Sequence, residues 1–153
     1  MRLWWMLLCF ISFQPVWAAD SAGVDLRSYQ HGLNFLHMAD GDYLAVFASN
    51  GMPPQTGWEH DIYTARVNPL HPDLTTAVKW IAAPEAQEPV SAAINAKGNR
   101  LCVTWEDGNP QRVKHEVAQL VYVANMPLTT NPYTAAKMVF DGGHSGHVAA
   151  VGN

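Results

Sequence analysis

The chain has 153 residues, 13 Asp and Glu against nine Lys and Arg, and a formal net charge of −4. That balance makes nucleic acid and anionic membrane surfaces poor partners. Two cysteines, Cys9 and Cys102, are too few for a disulfide framework.

The N-terminus reads as a removable leader. Arg2 precedes the apolar run Leu3 to Phe13, and Val16 and Ala18 satisfy the small-residue rule for cleavage before Ala19. The run is about half the length needed to span a bilayer, so no transmembrane anchor is expected after cleavage. Met6-Leu7-Leu8 before Cys9 lacks the small residue of lipoprotein processing, and Cys9 leaves with the leader. Removal also takes Arg2 and lowers the net charge to −5. Residues 1–18 are thus expected to be a signal peptide and the mature chain to be periplasmic or extracellular. Its lone Cys102 has two readings, a small buried thiol within a strand or a reactive one.

The mature sequence carries an internal repeat. Gly41, Leu44, Val46, Gly51 and Pro53 recur as Gly98, Leu101, Val103, Gly108 and Pro110, 57 residues on. Pro69-Leu70, Thr76-Ala77 and Lys79 recur 58 residues on as Pro127-Leu128, Thr134-Ala135 and Lys137. A third copy opens at His147 to Asn153, facing Ala93 to Asn99 at an offset of 54. Each copy predicts four short strands. These are about Leu33–Met38, Tyr43–Ala48, Asp61–Val67 and Thr76–Ala82, then Val90–Asn95, Arg100–Glu106, Ala118–Asn125 and Thr134–Phe140. β-branched and aromatic residues fill these runs. Ala39-Asp40-Gly41-Asp42 and Ala96-Lys97-Gly98-Asn99 supply hairpin turns.

Four antiparallel strands at this period fit a β-propeller blade, so the expected fold class is all-β. Blade 1 is expected at about 30–83, blade 2 at about 88–141, and blade 3 beginning at about 145. A closed ring takes about four to eight blades. The expectation for 19–153 is therefore the N-terminal part of a longer propeller. A complete small β-sandwich containing a duplication is the rival.

On a propeller, ligands meet the face built from the loops entering each innermost strand and those joining the second and third strands. Trp58-Glu59-His60-Asp61 falls there, an aromatic platform beside two carboxylates and an imidazole. It suits either sugar stacking and acid/base chemistry, or a tryptophan packed on the blade beside solvated carboxylates. Trp105-Glu106-Asp107-Gly108 offers Glu106 and Asp107 on the same face, or a plain Asp-Gly turn. Asp141-Gly142-Gly143-His144-Ser145-Gly146-His147 has the inventory of a metal site. In an extended strand, however, His144 and His147 point to opposite faces, and a Gly-rich loop explains the run equally well. His31, His37, His71 and His115 stand alone. The candidate ligand-binding set is Trp58, Glu59, His60, Asp61, Glu106, Asp107 and His144, with no metal or cofactor expected. No nucleophile elbow, phosphate loop, dinucleotide fingerprint or paired-Cys zinc pattern is present.

Asp40-Gly41-Asp42-Tyr43-Leu44-Ala45-Val46-Phe47, followed by Trp58-Glu59-His60-Asp61-Ile62-Tyr63-Thr64-Ala65-Arg66, resembles exported bacterial propellers of the sialidase-like, BNR-repeat superfamily. Blades of that superfamily carry a third strand of the DIY-A-R kind. The resemblance spans about residues 30 to 153 and implies the propeller fold. It does not imply sialidase activity. Neither hairpin carries the Ser-x-Asp-x-Gly-x-Thr-Trp box, and Arg27 lies in Leu26-Arg27-Ser28 rather than in the Arg-Ile-Pro setting that binds a sialic carboxylate. The function expected is a binding or scaffolding module of the cell envelope, its partner a carbohydrate or another envelope protein. The alternative is a glycoside-active hydrolase of sialidase-like type, and no motif decides between binding and catalysis.

Overall fold

The computed structural model describes residues 33–49, 60–73, 76–109, 111, 114, 117–129, 131–142 and 146–152. Residues 1–32, which include the expected leader, lie outside these. The described chain is all-β. Strands β1 (Asn34–His37), β2 (Tyr43–Ser49), β3 (Asp61–Val67) and β4 (Val78–Ile81) form one four-stranded sheet. Strands β5 (Gln87–Ile94), β6 (Arg100–Asp107), β7 (Ala118–Asn125) and β8 (Lys137–Asp141) form a second, with a 3-10 turn at Tyr133–Ala135 before β8. Both sheets are antiparallel meanders in chain order. Neither sheet is curled or closed on itself.

The two sheets are stacked in the same strand order and the same direction. At one edge, the Asn34 amide of β1 donates to Val90 O and accepts from Ala92 N–H, both at 3.2 Å. The two hairpin turns touch, because a Cβ on Gly98 would lie 2.9 Å from Ala39 N. Gly98 also has a φ of +67°, so the turn and the close approach both call for glycine. At the other edge, Trp80 Nε1 donates to Thr129 O at 2.9 Å. There the Asn131 side chain bonds both the N–H and the C=O of Ala82. An asparagine thus ties the sheets at each margin, its amide taking the place of a peptide group in a ladder.

Sheets laid the same way up must present opposite faces to one another. The first presents Leu44, Val46 and Ile62, and the second Leu101, Val103, Trp105 and Leu120, all in one core cluster. Leu44/Leu101 and Val46/Val103 are matched in sequence, so their mutual packing needs an explanation, and the turns supply it. Met38 N–H bonds Asp42 O in the first hairpin, whereas Asn95 N–H bonds Arg100 O in the second, one residue farther along. Because hydrogen-bonded and non-bonded pairs alternate along an antiparallel ladder, that extra residue reverses the face on which the matched side chains of β6 point. Small residues cover the other face of the first sheet, where Ala45, Ala65 and Val67 form a second cluster flanked by Tyr43 and Phe47.

Residues 146–152 run along the outer face of the second sheet without joining a ladder. Val148 N–H donates to Ser91 Oγ at 3.2 Å, and Gly152 O accepts from Ala96 N–H at 3.2 Å.

Candidate functional site

The pairings Ser49↔Asp61, Gln87↔Asp107 and Ala118↔Asp141 place the ends of β2, β6 and β8 and the starts of β3, β5 and β7 at one end of the sheets, opposite the Gly41 and Gly98 turns. His60, Gln87, Glu106, Asp107, Asn109 and Gln119 gather at this loop end, and all are buried. A buried polar group without a partner is costly, so the connections among them define the site.

His60, 1 % exposed, immediately precedes β3. Its Nδ1 lies 2.9 Å from Glu88 Oε2 on β5, which joins the sheets by an imidazole–carboxylate contact. Its carbonyl accepts from Gln87 N–H at 2.8 Å. The fully buried Gln87 side chain turns back into the β4–β5 loop. There Oε1 accepts from Ala83 N–H, and Nε2 donates to the carbonyls of Pro84 and Glu85. This holds Glu85 in a left-handed conformation, φ +68°.

Asp107, with no exposed surface, ends β6. Tyr133 Oη donates to its Oδ2 at 2.6 Å, and Asn109 N–H donates to its Oδ1 at 3.0 Å. Asn109 Nδ2 donates in turn to Tyr133 Oη at 3.1 Å. The carboxylate therefore anchors the start of the β6–β7 loop to the turn before β8. Next to it, Gln119 Nε2 donates to Thr104 Oγ1, whose hydroxyl donates to Leu120 O. Gln119 Oε1 accepts from Gly146 N–H at 2.9 Å. A Cβ at Gly146 would stand 2.6 Å from Gln119 Cδ, so glycine is what lets this backbone approach the amide. Asp61 at the head of β3 forms an ion pair with Lys79 of β4, and that hydrogen bond holds the ammonium pKa above its ordinary value.

Of the residues singled out from sequence, His60, Asp61, Glu106 and Asp107 lie together at this end. Trp58, Glu59 and His144 lie outside the described residues. Gln87, Glu88, Asn109, Gln119 and Tyr133 complete the network and were not expected. A glutamine within an otherwise apolar strand, as in Ala118-Gln119-Leu120-Val121, is the sequence signal for such a group. Cys102 is half-buried on the outer face of β6, and burial pushes its thiol pKa up, away from thiolate chemistry. Among the described residues, no three His, Cys, Asp or Glu side chains come together as metal ligands, and no helix is long and apolar enough to cross a membrane.

No known protein family, curated protein or solved structure matches this chain.

Proposed function

We propose that the chain is an exported binding or scaffolding module of the cell envelope, built on β-propeller blades, which engages its partner at the loop end. The observation that carries this reading is the gathering there of three polar clusters, His60–Glu88, Asp107–Tyr133–Asn109 and Gln119–Gly146. These bonds hold the ends of the β4–β5, β6–β7 and post-β8 loops in fixed positions. A rigid base under adaptable loops is what a recognition surface requires.

The propeller reading is supported by the way inter-unit contacts recur. Asn34 accepts from the main chain 58 residues on, and Ser91 does so from the main chain 57 residues on. The Ala39 turn meets Gly98, and the Ala96 turn meets Gly152. Head-to-tail succession of one contact is the geometry of units arranged around an axis. On this reading residues 30–83 and 88–141 are successive blades, and 146–152 is the first strand of the next. The likeness to sialidase-like propellers is proposed for the fold alone, and export rests on the leader.

Binding is favoured over glycoside hydrolysis because two of the candidate carboxylates, Asp61 and Asp107, are already engaged within the fold. Asp107 is enclosed by its hydrogen bonds and Asp61 is paired with Lys79, whereas a hydrolase needs two carboxyl groups facing one gap. A carbohydrate or another envelope protein is the partner class proposed.

The reading is tested by titrating a panel of cell-envelope oligosaccharides into the isotopically labelled chain and mapping amide shifts. Perturbations clustered at His60, Gln87, Asn109 and Gly146 are expected for a ligand that binds. Shifts confined to the Gly41 and Gly98 turns would place recognition elsewhere and overturn it.

A further inference from the structure

We infer that the loop end holds an internal water molecule between Trp105 and Asp107, which accepts a hydrogen bond from the indole and donates one to the carboxylate. This inference is independent of what the loop end binds.

The first observation is an unpaired donor. Trp105 lies in the core between the sheets with no exposed surface, and its Nε1 is buried without a hydrogen-bond partner. The other buried indole among the described residues is satisfied, since Trp80 Nε1 donates to Thr129 O at 2.9 Å. A buried N–H with no acceptor loses all of its solvation, a cost that phenylalanine in the same core would not carry. Buried polar groups in folded proteins find partners, and where the protein supplies none an ordered water does so.

The second observation is an acceptor with capacity to spare. A carboxylate offers about four lone-pair positions. Asp107, also without exposed surface, receives two hydrogen bonds, one on each oxygen, from Tyr133 Oη and from Asn109 N–H. Each oxygen thus keeps a lone pair inside the protein, out of reach of bulk solvent.

The third observation is that β6 brings the two together. Residues two apart in a strand share a face, so Asp107 follows Trp105 on the side that meets the first sheet. Their Cα atoms stand about 7 Å apart, and one water joins a donor to an acceptor about 5 to 6 Å away. The pairing of β5 with β6 is irregular between Gln87 and Val90, directly opposite this interval, and a bulge disrupts the ladder locally. The site calls for a molecule that accepts on one side and donates on the other. A metal ion cannot do both, and the complete enclosure of both side chains selects the smallest molecule that can.

The test is by NMR on the purified chain carrying isotopically labelled tryptophan. Cross-relaxation with solvent should reveal a long-lived water beside the Trp105 indole proton and none beside that of Trp80, whose position the Thr129 carbonyl takes. Relaxation dispersion of the water oxygen should count one long-lived water fewer in Trp105→Phe than in the parent. Tyr133→Phe controls for transfer through the neighbouring hydroxyl, and the Trp105 signal should survive it. Four results would each overturn the inference: no water signal at Trp105, an equal signal at Trp80, loss of the signal in Tyr133→Phe, or an unchanged water count in Trp105→Phe. Should Trp105→Phe fail to fold, the first three readings decide the matter on their own.

Discussion

The two ends of the stacked sheets handle polar groups in opposite ways. At the hairpin end, Asp40, Asp42 and Arg66 form an exposed ion-pair cluster. In the second turn Asn95 bonds Asn99 and the Arg100 N–H, within five residues of itself. At the loop end the polar groups are buried, and their bonds reach across 26 residues from Tyr133 to Asp107 and 27 from Gln119 to Gly146. Exposed turns are satisfied by water as readily as by neighbours, so their chemistry is nearly interchangeable, charge in one repeat and amide in the other. Buried groups have no such substitute, and each must be matched to a specific partner. The repeat is therefore freest at the hairpins and most constrained where the loops are anchored.

The largest effect expected from this contrast is at Asp107. Asp107→Ala leaves the Tyr133 hydroxyl and the Asn109 N–H without their acceptor in a buried setting, and should lower unfolding free energy by about 2–4 kcal/mol in urea titrations. Tyr133→Phe removes one donor and should cost about 1 kcal/mol. If Asp107→Ala proved no worse than an exposed turn substitution, the distinction between the ends would fail.

Next in size is the inter-sheet clamp. Asn34→Ala removes two hydrogen bonds to β5, and leaves Ala92 N–H and Val90 O unmatched at a half-buried margin. A loss of about 1–2 kcal/mol is expected. Asn34→Asp keeps the acceptor but not the donor and should fall between. Thermal unfolding of the three chains, read by tryptophan fluorescence, gives the ranking. A smaller loss is expected for Gly146→Ala, about 1 kcal/mol, because the new methyl displaces the Gln119 amide and breaks its bond to the backbone. Loss of the Gly146 bond with the sheet intact would appear as faster amide exchange confined to 146–152.

How much of this was legible beforehand depends on the kind of contact. Asp61–Val67 and Ala118–Asn125 agree residue for residue with the strands read from the sequence, and Gly41 and Gly98 have the positive φ their turn positions call for. Such features are local and follow from alternation and turn chemistry. Thr134–Ala135 was read as the start of a strand but closes a 3-10 turn, and β5 begins at Gln87 instead of Val90 because a bulge lengthens its pairing with β6. The reversal of faces between Leu44 and Leu101 was hidden, since the residue count between the repeats is unchanged and only the hydrogen bonds of the second turn reveal the shift. At the site, the sequence marked His60, Asp61, Glu106 and Asp107 by their chemistry and pictured Glu106 and Asp107 presented on a ligand face. That Asp107 is enclosed depends on Tyr133 and Asn109, a partner set no spacing rule could supply.

The smallest effect belongs to the hairpin cluster, and its sign with pH can be worked out. Hydrogen bonding to the Asp42 backbone, and then to Arg66, holds the Asp40 carboxyl below its ordinary value of 3.8, while Asp42 and Asp40 raise the Arg66 guanidinium. A carboxyl whose folded pKa is depressed contributes stability that is present above the unfolded value and is lost as pH falls through the folded one. The contribution of Asp40 is therefore complete at neutral pH and disappears only in acid below 3.8. Because Arg66 and Asp40 are both about half exposed and water screens the pair, Arg66→Ala and Asp40→Asn should leave the melting temperature at pH 7 unchanged within error. Any small advantage of the parent chain over Asp40→Asn should lie on the neutral side of a pH titration of thermal stability and vanish in its acid limb, where the parent loses the contribution that Asp40→Asn never had. Convergence of the two curves below pH 3.8 is the expected pattern. A large gap at pH 7, sensitive to salt, would mean that the hairpin end is held by its charges after all.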